Sequence, residues 1–462
     1  MTKTEIVKTR EKIAYGFGDA ASSMFWKIFS MYLLFFYTDV FGLAAAAVGT
    51  MFLVTKVWDS LFDPVVGIIS DRVETRWGKF RPFLLWVAVP FAVIGALTFY
   101  TPELNTGNRL VYAYVTYSLM MMVYSLINVP YASLLGVMSG DGKVRTTLAS
   151  YRMVFAFVGS LIALWTIEPL VKFFGNGSLI SQHGWFMAIV VFGCVTVVLF
   201  SLCFLGTKER IRPIQEDRTK LRDDFKDLLG NKPWWILLGA GVFTLLFNTI
   251  RDGATIYYFK YYIGVSDDNT VGFLGFSMSY TTLFLVVGQA ANIVGVVLAT
   301  PVSNRIGKKR TFSGAMLLAA ILSVLFYFIP SSGIKAMMVL QFLISICAGA
   351  IFPLLWSMYA DTADYSEWKH GRRATGLVFS ASSMSQKLGW ALGGALSGWL
   401  LATFGFKANV LQSAQALTGI KWMLSFLPAA GAIVSFVFIC FYPLTETKLE
   451  EISKELKAKY SS

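Results

Sequence analysis

Lys56-Val57-Trp58-Asp59-Ser60-Leu61-Phe62-Asp63-Pro64 is the stretch whose reading decides the fold. It lies inside an apolar run from Ala44 to Ile69. About 20 apolar residues span a bilayer as a helix, so the run reads as a membrane-spanning segment. On a helix Asp59 and Asp63 are one turn apart and Lys56 precedes Asp59 by three residues, which puts all three on one face. A charge at membrane depth costs on the order of 3 kcal/mol or more and is seldom left against lipid. Such a face lines a bundle interior or a watery cavity, where it can hold a cation or a proton. A buried salt bridge of Lys56 with one aspartate is the plainer reading, and it leaves the second carboxylate without a role.

The rest of the chain has the same character. Of its 462 residues 56% are hydrophobic and 15% charged, against about 25% charged in soluble domains. The apolar runs are unbroken and lack the period-2 alternation of a membrane barrel. The reading is an all-α polytopic membrane protein. A net charge of +13 raises nucleic acid as a partner, but the lysines and arginines gather in alternate short loops, as the positive-inside rule expects. Nucleic-acid binding is therefore set aside. Cys194, Cys203, Cys347 and Cys440 fall in apolar runs without metal-ligand spacing, and His183 and His370 are too far apart for a metal site. The polar start, Met1 to Lys12, and the long first apolar run do not fit a cleavable signal peptide.

Twelve spans follow in order, expected at about 13–40, 44–69, 82–101, 109–137, 148–173, 184–206, 233–263, 272–300, 311–330, 335–360, 374–404 and 419–442. Residues 1–206 form one six-helix bundle and 233–442 a second, joined by a cytoplasmic linker, 207–232, partly helical from Asp217 to Leu229. The tail, 443–462, reads as a short solvated helix. Twelve spans put both termini and every second loop on one side, and those regions hold 30 of the 40 lysines and arginines when Arg152 is counted with its loop. Both termini are thus expected to be cytoplasmic. Gly67-x3-Asp71-Arg72 with Gly78-Lys79 lies between spans 2 and 3, and Asn304-Arg305-Ile306-Gly307-Lys308-Lys309-Arg310 between spans 8 and 9. Matching basic loops in two six-helix halves indicate parallel repeats, with a substrate site expected between them near the midplane.

Tyr15-Gly-Phe-Gly-Asp19, Tyr37-Thr-Asp-Val-Phe-Gly42, Trp58-Asp-x3-Asp-Pro64, Arg76-Trp-Gly-Lys-Phe-Arg-Pro82, Asn128-Val-Pro-Tyr131 and Asp361-x2-Asp-Tyr-x-Glu-Trp368 carry a resemblance that covers nearly the whole chain. They resemble the glycoside–pentoside–hexuronide:cation symporters of the major facilitator superfamily. The resemblance implies the major facilitator fold, with twelve transmembrane helices in two six-helix pseudo-repeats. It also implies inward co-transport of a sugar or glycoside with sodium, lithium or a proton. Asp59 and Asp63 match the pair associated with cation binding in melibiose-type members. Tyr124, Asn128 and Arg152 fall where that branch places sugar-site residues, Lys387 matches a lysine near the cavity, and Phe352 replaces a cavity tryptophan. That branch has a Lys-Asp pair where this chain has Ser22-Ser23, an acid at Asn128 and a tryptophan at Ala132. The run Tyr124-Ser-Leu-Ile-Asn-Val-Pro-Tyr131 is more similar to the xyloside and glucuronide transporters.

Sugars are held by hydroxyl-matched hydrogen bonds and an aromatic face, and charged partners strengthen those bonds in a low-dielectric cavity. The candidate sugar-binding residues are Asp19, Ser23, Tyr124, Asn128, Arg152, Arg251, Phe352, Ser383 and Lys387, with Trp26, Trp356 and Trp390 as further aromatic platforms. Lys56, Asp59, Asp63 and Ser125 form the candidate cation site. Arg251-Asp252 on span 7 can meet a substrate anion or Asp19, or tie the two halves together. Asp71, Arg72, Arg76, Lys79 and Arg81, with Arg305 and Lys308 in the second repeat, are candidate gating residues that can pair with helix ends of their own half. Topology alone also accounts for their charge.

The expected function is secondary active symport of a sugar or glycoside, such as a pentoside or glucuronide, by alternating access. The expected place is a bacterial inner membrane, the expected state a monomer, with no enzyme activity and no cofactor. The expected coupling ion is a proton: Phe62 supplies no oxygen where sodium-using relatives carry an amide, whereas a carboxylate pair can share one proton. Alternatives are sodium coupling, a lipid-type symporter and a membrane-embedded glycosyl-carrier enzyme.

Overall fold

The computed structural model describes residues 7–139, 142–210, 229–264, 270–273, 276–370 and 375–461. The linker helix expected from Asp217 lies outside them, save its last residue.

Span 1, Thr9–Phe35, is uninterrupted helix and ends in a π-helical turn, Phe36–Val40. Span 7, Lys232–Tyr257, ends the same way at Tyr258–Ile263. Each π turn is closed by a glycine in left-handed backbone, Gly42 at φ 81° and Gly264 at φ 70°, a conformation that costs glycine little. The first helix of each repeat thus stops by the same device. A second correspondence follows spans 2 and 8. Gly78 (φ 112°) precedes span 3 and Gly307 (φ 88°) precedes span 9. The repeat is written in backbone geometry as well as in charge.

The other spans are Ala45–Arg72, Thr106–Met138, Gly142–Phe174, Gln182–Gly206, Tyr280–Ile306, Lys308–Tyr327, Ile334–His370 and Thr375–Thr403, numbered 2, 4, 5, 6, 8, 9, 10 and 11. Spans 3 and 12 are each broken in two, as Arg81–Trp86 with Ala88–Thr98 and Ala414–Leu424 with Phe426–Cys440. Pro90 and Pro428 sit in the first turn of the second piece, where a proline lacks the N–H that would bond the carbonyl four residues back and clashes with that carbonyl. Sequence reading took both spans as continuous. It also began span 8 at residue 272. The helix begins at Tyr280, because Thr270–Phe273 (β1) and Phe276–Ser279 (β2) pair as an antiparallel hairpin, Thr270 opposite Ser279. The tail is helical over Glu446–Ser461.

Nine of the helices, among the described residues, are long and apolar enough to cross a membrane on length and composition alone. Spans 1, 2 and 11 fall outside that count. Span 2 carries Lys56, Asp59 and Asp63 within one helix. Val111, Val198, Val297 and Ile321 are at least half exposed, as residues on a lipid-facing belt are. The chain is a multi-pass, all-α protein with twelve spans in two repeats.

Two compact units form: Met1–Gln215 with Val265–Val286 and Lys407–Val410, and Glu216–Gly264 with Val287–Phe406 and Leu411–Ser462. Two short segments that sequence reading gave to the second half therefore pack in the first unit. Side-chain bonds hold them there. The Asn409 amide donates to the Asp39 carbonyl at 2.6 Å. Ser279, the last residue of β2, donates to the buried Glu168 carboxylate of span 5, which also accepts from Tyr32. Spans 1 and 5 approach closely because Gly159 leaves room: a Cβ there would lie 2.6 Å from the Ala20 carbonyl oxygen.

Candidate functional site

Span 2 brings Asp59 and Asp63 to one hydroxyl on span 4. Ser125 Oγ lies 2.8 Å from Asp59 Oδ1 and 2.6 Å from Asp63 Oδ1. Asp59 and Ser125 are almost fully buried, and Asp63 is partly open. Lys56 Nζ stands 3.6 Å from Asp59 Oδ2. The same ammonium touches Met121 Sδ at 3.0 Å and lies over the Trp26 ring, 4.4 Å from its centroid. Lys56, Asp59, Asp63 and Ser125 thus meet in one cluster. Met121 and Trp26 complete the lysine's surroundings. No charge pattern marks Met121, whose only sequence signal is its place one turn before Ser125.

A hydroxyl has one hydrogen to donate. At these distances Ser125 can donate to either carboxylate or share its hydrogen between them. With one proton on the pair, Ser125 donates to one carboxylate and accepts from the other, and every short contact becomes a hydrogen bond.

Beside this cluster lies a half-open polar surface. Asp19 Oδ2 accepts from Arg152 Nε at 2.8 Å, and the Arg152 guanidinium lies 5.0 Å from the Tyr131 ring. Tyr131 stacks on Tyr15 at 4.8 Å and donates to the Tyr15 carbonyl at 2.6 Å. Gly18 is required here, because a Cβ would sit 2.4 Å from the Tyr131 ring. The Tyr15-Gly-Phe-Gly-Asp19 motif is in this sense the seat of the Asp19–Arg152 pair. Tyr124, Asn128, Ser23 and Trp26 are half-buried on the same unit. Trp26 and Tyr124 rings lie 5.4 Å apart, and the Asn128 amide donates to the Tyr124 carbonyl at 3.0 Å. Tyr124 immediately precedes Ser125 on span 4 and meets Trp26 and Asn128, so it stands between the carboxylate cluster and the polar surface.

Arg251, Phe352, Ser383 and Lys387 belong to the second unit. Phe352 and Lys387 are half-buried and Ser383 is exposed. Arg251 makes its side-chain bonds within its own unit. It is buried, with Nη1 donating to the Leu424 carbonyl at 2.5 Å and Nη2 to Gln341 Oε1 at 2.6 Å, and it lies over the Phe326 ring. The reason is the break in span 12. Pro428 has no N–H for the Leu424 carbonyl, and the guanidinium takes the vacated acceptor. Arg251 ties spans 7, 10 and 12 within one unit.

The loop charges divide. Arg72, Arg76 and Arg305 are exposed, Lys79 is half-buried, and the side chain of Asp71 lies outside the described set. Arg81 Nη2 donates to the Phe204 carbonyl at 2.6 Å, at the end of span 6. Glu209 answers it: its carboxylate accepts from the backbone N–H groups of Lys79, Phe80 and Arg81 at 2.8, 2.8 and 2.9 Å. In the second unit Glu446 accepts from the Lys308 N–H at 2.8 Å, and Lys308 Nζ reaches Asp361 at 2.7 Å. Sequence reading missed Glu209 and Glu446. Their signal is positional, since Thr207-Lys-Glu209 follows span 6 as Thr445-Glu446 follows span 12. A carboxylate over unpaired amide donors at a helix start is favourable in both units.

The family model described as MFS/sugar transport protein matches residues 14–446. The chain belongs to this family. Within the family it stands with the glycoside–pentoside–hexuronide:cation symporters, and it is a transporter rather than an enzyme. It is 37% identical over 448 residues to the putative glycoside/cation symporter YagG of Escherichia coli (strain K12), covering 97% of this chain and 94% of that one. To the isoprimeverose transporter of Lactiplantibacillus pentosus it is 36% identical over 461 residues, 98% and 91% covered. Among solved structures, a variant of the nucleoside transporter NupG superposes with a TM-score of 0.68 at 14% identity, 94% of this chain and all of that one covered. An inward-facing, unoccupied bacterial homologue of the lysosomal transporter Spinster gives 0.69 at 13%, with 94% and 96% covered. At such identities these two attest to the major facilitator fold alone.

Proposed function

We propose that the chain carries out cation-coupled symport of a sugar or glycoside by alternating access, with the proton as coupling ion. The observation that carries the ion is the single Ser125 hydroxyl shared by Asp59 and Asp63. The pair holds one proton comfortably in this arrangement. A sodium ion would need the three oxygens to move apart around it and further oxygen ligands besides, and Phe62 brings none. Loss of the proton leaves two adjacent anions, so the pair exchanges its proton when its surroundings open to water.

The sugar is read as a neutral pentoside-containing glycoside, held by Asp19, Arg152 and Asn128 and stacked on Tyr124. The Asp19–Arg152 pair offers an acceptor and a planar donor to neighbouring hydroxyls. Because these charges neutralise each other, the site favours a neutral sugar over a glucuronide. The name of the isoprimeverose transporter supports the pentoside class. The place is the inner membrane of a bacterium, with both termini cytoplasmic, as the loop charges argue. The protein acts as a monomer.

The test is uptake by proteoliposomes, with pH and sodium jumps applied separately. The panel is isoprimeverose, p-nitrophenyl xyloside, p-nitrophenyl glucuronide and melibiose. Accumulation of a xyloside driven by an inward proton gradient in sodium-free buffer is expected. Stimulation by sodium at fixed pH without proton movement would refute the ion assignment, and transport of the glucuronide alone would refute the sugar class.

A further inference from the structure

Trp26 touches both parts of the proposed reaction. Its ring lies beneath the Lys56 ammonium, and it packs against Tyr124. Met121, Tyr124 and Ser125 share one face of span 4 by spacing. Span 1 thus meets, through one half-buried indole, the lysine of the carboxylate cluster and the ring read as the sugar platform. We infer that Trp26 is the positioning residue that couples sugar occupancy to the cation site, by holding the Lys56 ammonium and the Tyr124 ring on one indole. The inference rests on the assignment of Asp59, Asp63 and Ser125 to the coupling ion and of Tyr124 to the sugar.

Lys56 has two competing stations, the indole face and Asp59, from which it stands 3.6 Å. With one proton on the carboxylate pair, the ammonium faces one negative charge and can lean on the ring. With that proton gone it faces two, and the pull towards the carboxylates doubles. A desolvated cation–π contact and a partly screened ion pair are similar in strength, so a change of one charge decides which station wins. Once the ammonium leaves, the indole loses that contact, and the platform it forms with Tyr124 loosens. A sugar stacked on that platform works in the opposite direction: it fixes the indole, keeps Lys56 on it and favours the loaded pair. Reciprocity then requires the ion to raise sugar affinity by the same factor. The other groups facing the cluster do not change charge in step with it. Asp19 and Arg152, on spans 1 and 5, pair with each other. Tyr117 and Tyr124, on span 4, are phenols, uncharged in the range tested.

The experiment measures sugar affinity of the full-length protein in nanodiscs at about pH 6 and about pH 8.5, with and without sodium, using the panel sugar that wild type binds most tightly; a wild-type affinity ratio of at least about fivefold is expected. Trp26→Leu should bind more weakly at both pH values and bring the ratio to about one, whereas Trp26→Phe, which keeps a ring, should retain part of it. A tryptophan with a packing role alone would lower affinity equally at both pH values and leave the ratio unchanged. Trp26→Leu that binds with the wild-type ratio overturns the inference and leaves the proposed function standing. A wild type without linkage to either ion overturns the proposed function itself. If Trp26→Leu fails to fold or to bind, Trp26→Phe and Trp26→Tyr decide: ratios below wild type support the coupling, and unchanged ratios overturn it.

Discussion

Removing the Ser125 hydroxyl tests the carboxylate cluster at its centre. Ser125→Ala deletes one oxygen that lies 2.8 Å from Asp59 and 2.6 Å from Asp63, at a site 2% exposed. Hydrogen bonds to charged groups contribute about 1.5–3 kcal/mol each, and water cannot easily replace one in so closed a site. The loss falls on the loaded state, in which the hydroxyl both donates and accepts. The emptied state can use its donor only once. A differential of about 1.5 kcal/mol is roughly tenfold in apparent affinity for the coupling ion. Sugar-driven proton uptake by Ser125→Ala should therefore need roughly ten times more protons for half-maximal rate, with maximal sugar exchange near wild type. Ser125→Thr, which keeps the oxygen, should behave like wild type if its methyl group is accommodated. The assay is a pH-sensitive dye in sodium-free proteoliposomes, with sugar counterflow in parallel. An unchanged proton dependence in Ser125→Ala would refute the reasoning, as would equal losses in exchange and in proton-driven uptake.

Asp59→Asn and Asp63→Asn should each abolish concentrative uptake while leaving sugar exchange measurable, and accumulation at the wild-type level in both would remove the pair from the mechanism. Asn128→Ala and Arg152→Ala should weaken sugar binding by about 1–3 kcal/mol, read from binding isotherms on protein of matched abundance; unchanged isotherms in both would move the sugar elsewhere. Arg251→Met should act on stability instead, because it leaves the Leu424 carbonyl and Gln341 unpaired. A loss of about 2–4 kcal/mol is expected, seen as a lower unfolding midpoint in detergent with the sugar dissociation constant unchanged, and a shifted dissociation constant at unchanged stability would return Arg251 to the binding site.

Much of the protein is legible in the order of its residues. Asp59 and Asp63 one turn apart at membrane depth imply a shared polar face, because helical spacing and the cost of charge in lipid are local rules. The alternation of basic loops gives twelve spans and the repeat for the same reason. The break in span 12 is foreshadowed by Pro428, yet its consequence is not. Nothing in the sequence says that the freed Leu424 carbonyl would be met by an arginine 173 residues earlier. Likewise the partner of Asp19 is Arg152, 133 residues away. Lys56 settles over Trp26 and beside Met121, neither of which its own helix supplies. Charge, apolarity and turn chemistry are properties of neighbours in sequence, so the sequence by itself determined the spans, the repeat and the carboxylate face. Which groups share a hydroxyl, a ring or a carbonyl depends on how helices far apart in sequence pack together, and only the tertiary structure decided that.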